Sequence, residues 1–331
     1  MKEFYNYKCN KLGHVKNLIF SKEQSKPVNK NQFKVLIYAI GLNYIDILMI
    51  KGKYQFKNNL PFIPGIEACG RIIEENCNMP EAVGKKVIII SKGGCFSEEV
   101  IADKNDVIFI DNNINTLAAS GYYIPFITSY VTLIEIAKAK KGDVLIITGA
   151  SGGIGSCAIV IAKQLGMKVI SLVENVKKID FVKKLGSSSH LIIGKDIKKA
   201  VMKITHKKGA NIIMDISGLQ NKYNLMSLLE WGGRYCIVGF IKKNIAMLPT
   251  NYLLIKGLKV YGIRAGEYMK RYQKRKILIL KDFNKFLKKN KTLYKSYEVV
   301  DFSSIKENLN KIEKRKSLGK IIVKTKYYRS E

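Results

Sequence analysis

The chain predicts an α/β fold in which a doubly wound parallel sheet is joined to a mostly β domain. Three observations support this. Residues 144–147 are an unbroken apolar run that passes through Thr148 into the turn Gly149-Ala150-Ser151-Gly152-Gly153-Ile154-Gly155 and then a helical pattern over 156–166. Apolar runs and helical patterns alternate from there to residue 263, as parallel strands joined by crossover helices do. The first 120 residues instead carry short β-type runs between glycine, proline and charged turns.

Taken in order, the β-type runs fall at 33–40, 70–73, 86–90 and 96–102. After the glycine turn come a strand at 168–173, a short strand at 191–193, a helix at 197–206 and a strand at 210–216 ending at Asp215. A helix at 222–229 and strands at 234–240 and 258–263 complete six strand candidates. A lysine-rich helix covers 270–291, and the tail returns to a strand at 320–324. These elements predict a β domain built from both chain ends, 1–121 and 266–331, with a nucleotide domain inserted at 122–265. The mouth of the cleft between two such domains is the expected substrate site.

Strand, glycine turn and helix together make a dinucleotide site. Glycines let the backbone approach a pyrophosphate, whose charge the N–H groups and dipole of the helix start stabilise. Glu174 stands at the tip of the next strand, 19 residues after Gly155, where such folds place an acid that reads the ribose.

At 331 residues and 47% hydrophobic, the chain is long enough for two cores. Its six cysteines show no paired spacing, which excludes a disulfide scaffold and predicts a reduced, cytoplasmic setting. The uncharged runs 114–134 and 144–162 have transmembrane length but hold Pro125, several Ser, Thr and Gly, and the glycine turn, so they read as soluble core with no membrane insertion. The formal charge of +32 admits nonspecific nucleic-acid contact. Lysine is spread throughout, however, and the helix at 270–291 sets its bases around Ile277, Leu280, Phe283 and Leu287, the pattern of a solvated helix.

The segments Gly41-Leu42-Asn43-Tyr44-Ile45-Asp46, Gly52-Lys53-Tyr54-Gln55-Phe56 and Leu60-Pro61-Phe62-Ile63-Pro64-Gly65-Ile66-Glu67-Ala68-Cys69-Gly70 resemble the quinone oxidoreductase, zeta-crystallin-like branch of the medium-chain dehydrogenase/reductases. Gly94-Cys95-Phe96-Ser97, Thr128-Ser129-Tyr130, Gly233-Arg234-Tyr235 and Gly319-Lys320-Ile321-Ile322-Val323 follow in the family's order, so the likeness is nearly continuous from 35 to 324. It implies a GroES-like catalytic domain and a Rossmann domain. Zinc relatives carry Gly-His-Glu where this chain reads Gly65-Ile66-Glu67, and the first ligand segment offers Asp46 and no cysteine, so a metal-free enzyme is expected.

The resemblance implies reduction of quinones or similar α,β-unsaturated carbonyls by hydride from a nicotinamide cofactor. Enoyl-thioester reduction is the second enzymatic reading, and RNA binding through the basic surface is the reading from another class. By resemblance Tyr54 lines the nicotinamide pocket or donates a proton, and Asn43 and Thr128 approach the nicotinamide end. Asp46, three residues from Asn43, pairs with it or braces the turn. Thr128 also reads as a helix-start hydroxyl. Ser151, Gly152, Gly153 and Ile154 would hold the pyrophosphate and Val238, Gly239, Phe240 and Ile241 the nicotinamide half, with Ile263, Arg264 and Ala265 in a further cofactor-lining segment where Arg264 binds an anionic substrate group or faces solvent. Relatives that bind NADPH keep a lysine at the position of Lys178 and a small residue at that of Glu174. NADPH is therefore expected, with NADH admitted by Glu174. Related enzymes pair through the last nucleotide-domain strand, so a homodimer is expected.

Overall fold

The computed structural model describes residues 3–194, 196–240, 245, 247–290, 293 and 296–329. The chain divides into two units, one of 1–123, 286–290 and 297–331, the other of 124–285 and 291–296.

The first unit opens on an antiparallel hairpin, β1 (Glu3–Cys9) and β2 (Leu18–Gln24). β3 (Gln32–Leu42) leads into α1 (Tyr44–Ile50), followed by β4 (Glu67–Glu75), β5 (Lys86–Ile90), β6 (Glu99–Asp103) and β7 (Val107–Phe109). β3 is the spine because Phe33, Val35 and Ile37 on one face and Ile40 and Leu42 at its end are all sealed, so it pairs with both β4 and β6. α2 (Thr116–Tyr130) spans the boundary between the units and continues as a wider helical turn to Ile136. The stretch Thr116–Ile136 is long and apolar enough to cross a bilayer, yet 78% of its most apolar window is buried, the environment of a core helix.

In the second unit β8 (Val144–Thr148) passes through the glycine turn into α3 (Gly153–Gln164). β9 (Lys168–Val173), α4 (Val176–Leu185), β10 (Ser189–Ile192), α5 (Ile197–Ile204) and β11 (Ala210–Asp215) follow. The short α6 (Gln220–Tyr223), β12 (Leu229–Ile237), α7 (Asn251–Lys256) and β13 (Lys259–Gly262) finish a six-stranded parallel sheet of order β10-β9-β8-β11-β12-β13. β8 sits inside it with Leu145, Ile146 and Ile147 fully buried, which is why its run is apolar without alternation. Strand order reverses between β8 and β11, the point where doubly wound sheets open a crevice at their carboxyl ends.

The expected helix at 222–229 is instead α6 and a separate tight turn over Leu225–Leu228, because Asn224 adopts a left-handed backbone (φ 42°) that ends α6. β12 starts earlier than 234 and carries an irregular register over the Gly232-Gly233 pair. Residues 266–285, read from sequence as part of the β domain, fall in the second unit, within α8 (Ala265–Arg271) and most of α9 (Gln273–Lys289). Phe283 packs on Phe126 with ring centroids 5.0 Å apart, and the Tyr130 hydroxyl donates to Asp282 at 2.8 Å, holding α9 there. β14 (Tyr297–Asp301), α10 (Ile305–Glu313) and β15 (Lys320–Lys324) return to the first unit, where β15 pairs antiparallel with β3 in the order β14-β15-β3-β4-β5-β7.

Candidate active site

The register of β15 on β3 brings Lys320 beside the start of α1, and a sealed polar cluster forms there. Asn43 Nδ2 donates to the Gly41 carbonyl at 3.0 Å and to Glu67 Oε1 at 2.9 Å, while Asn43 Oδ1 accepts from Lys320 Nζ at 2.6 Å. Lys320 also pairs with Glu67, their side chains 3% and 0% exposed. The opposite amide orientation would set Nδ2 against the ammonium, so the network fixes this one. Both side-chain N–H groups of Asn43 are therefore engaged inside the protein, leaving only a lone pair on Oδ1 for a ligand. A Cβ at Gly41 would fall 2.4 Å from the Ser120 carbonyl and 2.7 Å from Glu67 Oε1, so glycine is required for this approach.

Asp46 Oδ2 accepts the Asn43 backbone N–H at 2.7 Å, the bracing geometry of a helix start. Its other oxygen, Oδ1, has no hydrogen-bond partner of good geometry among the described residues. Burial raises its pKa to about 7, outweighing the Asn43 and Ile66 N–H groups and the Lys320 charge, while Glu67 adds to the rise. Burial, and then the Asp46 charge, pushes the Cys95 thiol well above its usual range. A zinc centre needs deprotonated ligands around an open position. Here Glu67 is neutralised by Lys320, Cys95 is held as the thiol, and the described residues contain no group of three His, Cys, Asp or Glu placed to hold a metal. The residues present do not fit zinc.

Tyr54 lies in the turn after α1, half-buried, its ring edge-on to Phe56 at 4.9 Å. Thr128 is not at a helix start: α2 begins at Thr116, and Thr128 sits in its last turn, its carbonyl accepting Thr132 Oγ1 at 2.6 Å. Sequence patterning placed it too early because the apolar run hides where the helix begins.

In the second unit, the turn after β8 is tight because Gly149 has φ 64° and its carbonyl accepts the Gly152 N–H at 3.1 Å. A Cβ at Gly155 would lie 2.4 Å from the Gly149 carbonyl, so only glycine lets α3 pack down on the turn. Ser151 is buried, whereas Gly152, Gly153 and Ile154 are partly exposed; the Gly152 N–H is turned to Gly149, and the N–H groups that follow it in the first turn of α3 are those that a helix start presents to an anion. The Ser129 hydroxyl donates to the Ile154 carbonyl at 3.2 Å. This cradle fits a dinucleotide pyrophosphate.

At the tip of β9, Glu174 and Lys178 form an ion pair of 2.7 Å, one helical turn apart, with the Asn175 side chain capping α4 on the Lys178 N–H. Val238 and Gly239 donate their N–H groups to the Asp215 carbonyl at 2.9 and 3.3 Å, and the Ile263 N–H bonds the Ile237 carbonyl at 2.8 Å. Phe240 and Arg264 are exposed and Ala265 is buried. Ile241 lies outside the described residues. Glu67 and Lys320 were missed as site residues. The signal was a charged residue at each end of motifs whose neighbours are apolar, but their partnership spans 253 positions.

Residues 29–128 match the alcohol dehydrogenase GroES-like domain and residues 153–280 the zinc-binding dehydrogenase family. The chain is 28% identical over 326 residues to a quinone oxidoreductase-like protein 2 homolog of Nematostella vectensis, covering 96% of this chain and 88% of that one. A Pseudomonas syringae quinone oxidoreductase superposes with a TM-score of 0.83 at 21% identity, over 97% of this chain and 99% of the other. A mycobacterial protein solved in complex with NADPH gives 0.84 at 18%, with the same coverage of 97% and 99%. Taken with the glycine cradle and the strand order, the two domain matches, which together span more than half of the chain, place it among the medium-chain, alcohol-dehydrogenase-type oxidoreductases, with likenesses to proteins named quinone oxidoreductase.

Proposed function

We propose that this enzyme reduces quinones or related α,β-unsaturated carbonyls by hydride transfer from a nicotinamide dinucleotide, without a metal. The sealed Lys320–Glu67 pair carries the metal-free part, since it removes the carboxylate a metal would use. The turn from Gly149 to Gly155 and the start of α3 hold the pyrophosphate. Bound nicotinamide supplies a hydride, so the substrate takes two electrons with one proton and needs one further proton. Tyr54 gives that proton to the substrate, being a half-buried phenol in the family's Gly-x-Tyr turn. Asn43 offers only an acceptor and orients rather than protonates. NADPH is the proposed carrier, as in the mycobacterial neighbour, and Glu174 admits NADH.

A homodimer is part of this reading. β13 ends the sheet, and beside it Trp231 and Leu254 are 75% and 85% exposed. The deciding experiment follows oxidation of each carrier against quinones, enones and enoyl thioesters, with and without a strong chelator. Turnover of quinones or enones that survives chelation is expected. Turnover confined to enoyl thioesters, or abolished by chelation, would replace this reading.

A further inference from the structure

Between α1 and β4 the chain runs over 53–61 without helix or strand, and along it Tyr54, Phe56 and Asn58 are half-buried while Gln55, Lys57 and Asn59 are exposed. Alternate side chains of the loop therefore face the protein. A loop keeps a functional side chain in one place only where neighbouring side chains hold it. A fixed platform stands against this one. In the turn 91–94 that follows β5, the Ser91 N–H donates to the Ile66 carbonyl at 3.1 Å and the Gly94 N–H to the Ile63 carbonyl at 2.7 Å. Gly93 has φ 153°, and a Cβ there would fall 2.8 Å from the Ile63 carbonyl, so the close approach requires glycine.

From this platform Lys92 touches the loop at two points. Its carbonyl accepts from Asn58 Nδ2 at 3.1 Å, and its ammonium stands 6.0 Å from the centre of the Phe56 ring. Phe56 in turn meets Tyr54 in an edge-to-face pair, ring centres 4.9 Å apart and planes at 80°. The positive edge of one ring is drawn to the negative face of the other, and a cation is drawn to the same kind of face. Ammonium, phenyl ring and phenol thus form a chain of contacts that leads from the glycine-locked turn to Tyr54.

We propose that Phe56 and Lys92 are positioning residues for Tyr54, fixing its ring in the orientation from which the hydroxyl gives a proton to the substrate. This rests on the reading of Tyr54 as proton donor. Both residues act through Tyr54, so they set the rate of proton delivery and leave carrier affinity alone.

The test uses the purified full chain with saturating NADPH and a water-soluble benzoquinone, together with calorimetric Kd values for NADPH. Phe56→Leu is expected to lower kcat by roughly five- to tenfold with the Kd unchanged, and Phe56→Tyr, which keeps a ring there, to stay within about twofold of the parent. Lys92→Met changes an exposed side chain and leaves the fold intact; it is expected to lower kcat by about two- to threefold, while Lys57→Met, which removes the neighbouring exposed charge, leaves kcat unchanged. Tyr54→Phe keeps the ring and removes the hydroxyl, so in that background Phe56→Leu is expected to cost nothing further. A further loss of the same size there shows that the loop acts by another route and overturns the proposal. So does an unchanged kcat in Phe56→Leu, an equal loss in Lys57→Met and Lys92→Met, or a raised NADPH Kd with kcat retained, which would make Tyr54 a wall of the carrier pocket. If Tyr54→Phe itself keeps the parent kcat, or the unaltered protein does not reduce the quinone, the function read above falls first and this positioning role with it.

Discussion

Asp46 is a carboxylic acid kept out of water beside an ammonium that another carboxylate already neutralises. Lys320 carries one positive charge and Glu67 one negative, so an ionised Asp46 would leave the cluster with a net buried negative charge. Its pKa rises from 3.8 to about 7, with burial the first cause. Between those values the folded protein holds a proton that the unfolded chain releases, so this group's contribution to stability is fully present below the lower value. It is lost as pH rises to the upper one and is level beyond it. Asparagine at this position still accepts the Asn43 N–H and cannot ionise. Asp46→Asn is therefore expected to gain stability over the parent as pH rises from 5 to 8, by on the order of 2–4 kcal/mol at the top of that range. Urea denaturation of both proteins across those pH values measures the difference, and parallel curves would show that Asp46 is ionised in the fold. At this scale the bracing of Asn43 by Asp46 was legible because both residues sit in one short local motif. Glu67 and Lys320 stood in quoted motifs too, but what joins them is the antiparallel register of β15 on β3, which no local spacing encodes.

Among the elements, the parallel strands were the most legible, because a strand buried on both faces must be apolar along its length. The hairpin of β1 and β2 was missed: its residues alternate weakly, with Asn6, Lys8 and Lys22 among the apolar ones, and its apolar contacts come from Tyr5, Tyr7 and Phe20 stacking across the pair. The end of β9 falls where the sequence puts it, with Glu174 just beyond, but neither α4 nor the Glu174–Lys178 ion pair was read from the sequence. That pair changes how the two carriers compete. Lys178 must leave Glu174 before it meets a 2′-phosphate, whereas a free ribose diol can bond Glu174 with the pair intact. Glu174→Ser is expected to free the ammonium and shift the ratio of kcat/KM for NADPH over NADH upward by about tenfold, a change of about 1.4 kcal/mol. Lys178→Ala should move the ratio the other way, since it removes the ammonium that offsets Glu174 from one helical turn away. Steady-state kinetics with both carriers gives the ratio, and a shift below about twofold in both variants would mean that neither residue meets the adenosine ribose.

For the whole molecule, a charge of +32 sets the terms of self-association, because like-charged copies repel over a distance that salt shortens to about 8 Å at physiological strength. Several lysines are drawn into surface pairs, among them Lys8–Glu23, Lys51–Glu313 and Lys311–Glu298, but 26 acidic residues cannot balance 58 basic ones. Association must therefore rest on apolar area and backbone pairing. Both are present in this part of the chain: β13 has a neighbour on one side only, and Trp231 of β12 and Leu254 and Ile255 of α7, the helix that leads into β13, are exposed. An uncovered strand edge next to apolar side chains is a surface that proteins either guard with charge or pair with a copy of itself, and a two-fold pairing here would continue the parallel sheet across both chains. Light scattering at micromolar concentration and physiological salt is expected to give twice the chain mass. Leu254→Glu, which puts a carboxylate on an already exposed position of α7, should yield the monomer while leaving the melting transition of the isolated chain intact. Lower salt should weaken the unaltered dimer, as unscreened charge pushes the copies apart. A monomeric parent at physiological salt, or a Leu254→Glu variant that still pairs, would move the interface away from this edge.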